Sequence, residues 1–285
     1  MASSGITLTA GMRKNLFSLQ NTSNLLERTQ KRLATGLRVQ NAVDDPVNYF
    51  TALGHRQRAE DLASRKDEMA ESIQLVSAAN EGVESITSLI ASAKSLAQSA
   101  LSASTTAEIN TLESQFNEVM AQVDTLAADS GYKGVNLLDG TAVTHEVKFD
   151  ETGASSLTMS GFDASTDVTN GLSLNTVAAS AWVSSSSAGA PDKEIINSSI
   201  TALDNARTTL RSESQKLSTN LSTITIRQDF TKGMINTLED GAAELTNADM
   251  NEEGANMLML QTRQSLGTTS LSLASQSAQS VLRLF

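Results

Sequence analysis

Residues 245–285 read LTNADMNEEGANMLMLQTRQSLGTTSLSLASQSAQSVLRLF, and in them Leu245, Ala248, Ala255, Met259, Leu266 and Leu273 fall at spacings of three, four and seven. At 3.6 residues per turn such spacing draws one apolar stripe along a helix, and a stripe of that length needs a partner. Thr246 or Asn247 is the expected cap. Asp249, Glu252 and Glu253 fill the opening turns, where the positive end of the helix dipole favours carboxylates. The sequence stops at VLRLF (281–285), an apolar end with no polar cap, so Val281 and Leu282 join the stripe as expected contact residues.

The expected mate is the other end of the chain. Leu8, Met12, Leu16, Leu19, Leu26, Leu33 and Leu37 repeat at four, three and seven, which predicts a second amphipathic helix stopping near Gly36. Residues 1–66 hold ten Lys/Arg against five Asp/Glu, net +5, leaving 11 against 27, net −16, for the remainder of a chain whose total is −11. Residues 239–253 contain six acids and no base. A basic first helix along an acidic last one is electrostatically favoured, though exposed pairs tune register more than stability.

Working inward, GLRVQNAV (36–43) is a connector. Asp44, Asp45 and Pro46 then form a start signal, with Asp45 as N-cap and Pro46 at the first helical position, where its missing N–H costs nothing. Leu62, Met69, Ile73, Val76, Val83, Ile90, Ala97 and Leu101 keep near-heptad spacing for some forty residues, a rod of about 60 Å at about 1.5 Å per residue. A break at 102–106 precedes Ile109, Leu112, Phe116, Val119, Val123 and Leu126, an unbroken 3-4 repeat. Ile196, Ile200, Leu203, Leu210, Leu217, Leu221, Ile224, Ile235 and Leu238 lie on one heptad grid, predicting a second rod antiparallel to the first. Between the rods, residues 141 to about 180 alternate like short strands, with 158–162 and 172–177 as candidates; SSSSAGAP (184–191) is a connector by composition. The fold class is therefore mainly α: long antiparallel rods, a terminal coiled coil and a small β-hairpin mid-chain.

Composition excludes several functions. Ten aromatic residues and two prolines in 285 suit helices packed along seams more than a globular core. The absence of cysteine removes disulfide and thiolate chemistry. His55 and His145 are the only histidines, and His145 lacks the second histidine of a metalloprotease helix, so neither an enzyme nor a cofactor or metal site is expected. The bases before position 66 lack interleaved aromatics and sit in a net acidic chain, against a nucleic-acid partner. No run reaches membrane-span length, and Arg263 and Arg283 are too few cations for a lipid-surface helix, so no membrane partner is expected. The start, MASSGITLTAGMRKNLF, has no apolar core of a cleaved secretory signal.

Three motifs carry a resemblance. TQKRLATGLRVQNAVDD (29–45) resembles the N-terminal signature of bacterial flagellins; YKGVNLLDG (132–140) is similar to the family's F-N-G-x-x-L-L segment. ADMNEEGAN (248–256) through QSAQSVL (276–282) is similar to its C-terminal ending. PVNYF (46–50) departs from the small-residue segment usual after the two aspartates, and Gly254 stands where alanine is common. The resemblance implies a small flagellin without large outer domains, a secreted, extracellular filament subunit for swimming, exported unfolded without signal cleavage. It implies residues 1–44 with 245–285 as an inner coiled-coil domain, 45–140 with 192–244 as a rod domain, and 141–191 as hairpin and surface. Leu16, Leu19, Leu26, Leu33, Leu37, Leu245, Met259, Leu266, Leu273, Val281 and Leu282 are then the expected assembly contacts. Implied partners are further copies of the chain, sibling flagellins, an export chaperone, and cap and hook-junction proteins. A hook–filament junction protein or other helical adaptor forming a limited oligomer is the alternative.

Overall fold

The seven-residue repeats fold as helices in the computed structural model, which describes residues 10–169, 171–174, 176–184 and 190–282. Among these lie α1 (Ala10–Thr35), α2 (Pro46–Ser102), α3 (Thr106–Asp129), strands β1 (Thr144–Lys148) and β2 (Ser156–Ser160), α4 (Lys193–Thr246) and α5 (Met250–Leu282). Leu8 lies outside the described residues, as do the side chains of Val281 and Leu282. The chain divides into two compact units, Met1–Gln57 with Thr237–Phe285, and Arg58–Asn236; α2 and α4 supply residues to both.

In the Arg58–Asn236 unit the heptad grid sets the core. α4 buries Ile196, Leu203, Leu210, Leu217 and Ile224 at strict intervals of seven, with Thr231 next on the same row. α2 answers with Met69, Val76, Val83, Ile90 and Ala97, interleaved with Ala79, Ile86, Ala93 and Ala100. Alanine on alternate rows lets the backbones approach, and a seven-residue period held this long wraps helices left-handedly. The two run antiparallel: Lys94 Nζ meets Asp204 Oδ1 at 2.6 Å, and Ser214 Oγ donates to Asn80 Oδ1 at 2.7 Å. Gly82 of α2 is a packing requirement, since an added Cβ would stand 2.8 Å from both Ser130 Cβ and Leu138 Cδ1.

α3 buries Ile109, Glu113, Phe116, Met120, Val123 and Ala127, whereas Leu112, Val119 and Leu126 of the expected stripe sit half-buried at its edge. A carboxylate on a core row needs hydrogen bonds. Glu113 Oε1 accepts from the Ser180 amide at 2.6 Å and Oε2 from the Trp182 amide at 2.9 Å. Asn117 exchanges two bonds with the Val177 backbone, and Asp124 accepts from the Thr166 amide and hydroxyl. Three polar side chains of α3 thus hold the returning chain, and Trp182 is fully buried with its ring 4.9 Å from Phe116.

That clamp corrects one expectation. Of the candidate strand 172–177, the described residues 172–174 and 176–177 form no strand: the Leu172, Ser173 and Leu174 amides bond the Ser165, Asp167 and Thr166 carbonyls, and the Val177 amide bonds the Asn117 side chain, in place of a neighbouring strand. The hairpin consists of β1 and β2, antiparallel with Thr144 opposite Ser160 and Val147 opposite Leu157. Its second strand lies two residues before the expected 158–162. Gly161 is pressed against the carbonyls of Leu137 and Gly140, each 2.8 Å from where a Cβ would stand, so the strand ends before it.

Candidate assembly interface

The Met1–Gln57 and Thr237–Phe285 unit is built on a backbone clasp. Gly36, at φ +71°, turns the chain out of α1, a left-handed conformation that glycine adopts without a Cβ penalty. The Arg38 and Val39 amides then both donate to the Thr246 carbonyl, at 2.8 and 3.2 Å, and the Ala248 amide donates to the Gly36 carbonyl at 2.9 Å. Leu37 pairs with Asn247 in an antiparallel bridge. Arg38 and Arg56 reinforce the clasp, donating to the Leu245 carbonyl and the Thr246 hydroxyl.

Both edges of the clasp are capped by aspartate. Asp45 Oδ1 accepts from the Asn48 amide at 3.1 Å, directly before Pro46 opens α2. Asp44 accepts from the Gln40 and Asn41 amides, which lower its carboxyl below the usual carboxylate value. On the other side Asp249 accepts from the Asn251 and Glu252 amides and starts α5. The expected cap at Thr246 or Asn247 is thereby corrected: α4 continues through Thr246, whose buried hydroxyl donates to the Ala242 carbonyl. Leu245 belongs to the last turn of α4.

Beyond the clasp α1 and α5 run antiparallel. Arg32 meets Glu253 at 2.7 Å, the side chain of Leu19 meets the backbone at Gly267, and Asn15 Nδ2 donates to Ser270 Oγ at 3.1 Å. The α1 seam is Met12, Asn15, Leu19, Thr22, Leu26, Thr29 and Leu33, all buried or half-buried at spacings of three and four. The α5 seam is Glu253, Met257, Leu260, Gln264, Gly267, Leu271 and Ala274. Knobs and holes at this period define an antiparallel coiled coil.

This seam differs from the expected stripes. Leu19, Leu26 and Leu33 lie in it, but Leu16 is turned out, its place taken by Asn15 and the polar rows Thr22 and Thr29. Among the described side chains of α5 only Leu260 of the large aliphatics is buried, whereas Met259, Leu266 and Leu273 are 51%, 67% and 59% exposed. At about 100° per residue those three, with Ala255, lie roughly 135° round the helix from the α1-facing row. α5 is thus apolar on two flanks, and the regular spacing of large apolar residues marks the outer one. Leu258, Leu25 and Phe17 add to the exposed apolar surface of this unit.

No group of three or more His, Asp or Glu among the described residues is arranged to hold a metal ion, and no described helix is long and apolar enough to cross a membrane. The family model for the bacterial flagellin N-terminal helical region matches residues 8–143, and that for the C-terminal helical region matches 194–285. Flagellin FljK of Caulobacter vibrioides is 30% identical over 100% of both chains. The chain belongs to the flagellin family. Flagellin FljO of the same organism is 29% identical over 100% of both chains, and a flagellin of Brucella melitensis is 27% identical over 95% of each. As a flagellin of 285 residues, the chain has between its two matched regions only residues 144–193, which hold the hairpin and the loop clamped to α3.

Proposed function

We infer that this flagellin is a structural subunit of the bacterial flagellar filament, serving motility, and that copies of it join through the outer flank of the α1–α5 pair. The single observation behind this reading is the row Ala255, Met259, Leu266 and Leu273, apolar, recurring along α5 with Thr262 and Thr269 between its members, and turned away from the α1 seam. An exposed apolar surface of that length on a soluble chain marks a contact surface. Residues 1–44 with 245–285 form the inner layer of the filament in this reading, the helices of 45–140 and 192–244 the next, and 141–191 the outer surface. Leu16 and Met259, Leu266 and Leu273 contact neighbouring copies in this reading; Leu19, Leu26, Leu33, Leu37 and Leu245 hold the chain to itself, and Val281 and Leu282 are proposed as further contacts between copies. The part is structural, with no catalytic step. Export without signal cleavage, and partnership with a chaperone, cap and hook-junction proteins, complete the proposal.

Truncation before residue 246 tests it. Cells or purified chain lacking 246–285 should give no filaments by electron microscopy while the Arg58–Asn236 unit keeps its helical circular dichroism. Normal filaments from the truncated chain would refute the reading. Sedimentation separates the adaptor alternative: growth without limit as concentration rises supports a filament, and a fixed small oligomer opposes it.

A further inference from the structure

The sulfur chemistry of this chain rests on thioethers alone, since the sequence has nine methionines and no cysteine. Among the described residues the methionines divide sharply by exposure. Met69, Met120 and Met159, all in the Arg58–Asn236 unit, are no more than 1% exposed, and Met12, Met234 and Met257 are half-buried. Met250 and Met259 of α5 are 48% and 51% exposed. These two are not equivalent. Nine residues at about 100° each set them on opposite sides of the helix. Met259 shares the outer row with Ala255, Leu266 and Leu273, none of which has an atom that a mild oxidant attacks. A leucine at 259 would be as apolar and as good a helix former. What methionine adds at that position is a polarizable, oxidisable sulfur.

Resting on the contact row of the filament reading, we propose that Met259 is a redox modification site: a peroxide converts it to the sulfoxide on the unassembled chain, and the modified chain is disfavoured from joining other copies. The thioether sulfur attacks one peroxide oxygen, the O–O bond breaks, and the second oxygen leaves as water with both protons; sulfur loses two electrons and the peroxide gains them. The product exchanges a flexible apolar side chain for one bearing a strong hydrogen-bond acceptor. Against the apolar row of a neighbouring copy that oxygen is buried without a donor, whereas on the free chain water solvates it. Oxidation therefore penalises the assembled state and spares the isolated fold, because Met259 is not part of the α1 seam. The same burial acts in reverse, shielding Met259 from peroxide once the subunit is in place.

Purified unassembled chain treated with dilute hydrogen peroxide should gain oxygen at Met250 and Met259 before Met69, Met120 and Met159, as read by peptide mass spectrometry. The concentration needed for assembly should then rise on the order of tenfold, with helical circular dichroism unchanged. Met259→Leu should assemble as the original chain does and keep that ability after peroxide, whereas Met250→Leu, on the opposite side of α5, should stay as sensitive as the original. Sensitivity that persists in Met259→Leu, or an oxidised Met259 with an unchanged assembly concentration, would overturn the inference and leave the filament reading standing. As a second measurement, Met259 in preformed filaments should be oxidised at least about tenfold more slowly than in the free chain. Equal rates would take Met259 out of the contact and overturn the inference. An untreated chain that forms no filaments at any concentration would overturn the filament reading itself, and the inference with it.

Discussion

Arg32 Nη1 donates to Glu253 Oε1 at 2.7 Å, joining the last turn of α1 to the first turn of α5 across the edge of their seam. The Glu253 side chain is 9% exposed, so the pair is shielded from solvent in a way that surface pairs are not. Replacing Glu253 with alanine leaves the Arg32 guanidinium without its acceptor, and should cost about 1–2 kcal/mol. A double-mutant cycle with Arg32→Ala, read by urea unfolding, should give a coupling energy of about 1 kcal/mol. Strict additivity of the two changes would contradict the assignment.

The two flanks of α5 should separate in experiment. Leu260→Ala empties a buried seam position and should destabilise the isolated chain by about 2–3 kcal/mol. Leu266→Gln alters an exposed position, and should leave the unfolding midpoint of the isolated chain nearly unchanged while suppressing filament formation. Thermal melts and electron microscopy on the same samples provide both readings. Equal effects on the monomer would mean that the outer flank is already covered within one chain.

Trp182, the single tryptophan, reports on the clamp formed by α3. Glu113→Ala removes the acceptor for the Ser180 and Trp182 amides and leaves both donors unpaired, at an expected cost of about 2–3 kcal/mol. The emission of Trp182 should shift to the red, and quenching by acrylamide should rise. An unchanged spectrum would show that the ring contact with Phe116 holds the loop without the carboxylate.

His145 on β1 supplies a pH dependence. Its Nε2 lies 2.9 Å from Ser72 Oγ on α2, whose hydroxyl also lies 2.9 Å from the Glu68 carbonyl. Burial lowers the proton affinity of the imidazole below the ordinary value of 6.5. The unfolded chain therefore takes up the proton first: this contribution is fully present above the unfolded value and declines as pH falls through the lower folded value. Urea midpoints should drop between neutral and mildly acidic pH, and His145→Gln should flatten that part of the profile. A profile unaffected by the substitution would place the titrating group elsewhere.

Repeats constrained by a single buried face were the most legible. On α4 the seven-residue row Ile196, Leu203, Leu210, Leu217 and Ile224 runs unbroken, so its buried face is legible from spacing alone. On α5 spacing was not enough: Met259, Leu266 and Leu273 are larger and more regular than the true seam, which passes through Gln264 and Gly267. Apolar pattern gives the existence of a helix, and when two flanks are apolar it does not say which one faces inward. The strand expected at 172–177 failed for another reason. Glu113, Asn117 and Asp124 look like solvent-facing residues in sequence, and only their fixed spacing along α3 turns them into acceptors for a backbone that would otherwise have needed a sheet.

The seam between α1 and α5 contains two threonines, a glycine and a glutamine where a self-sufficient zipper would use leucine. Such a pairing should open at modest free energy, with the amide hydrogens of α1 and α5 expected to exchange ahead of those of the rods in a hydrogen-exchange measurement. On the filament reading the α1–α5 pair gains its firmness from company, and the stiffness of the finished fibre is expected to be a property that no individual copy possesses.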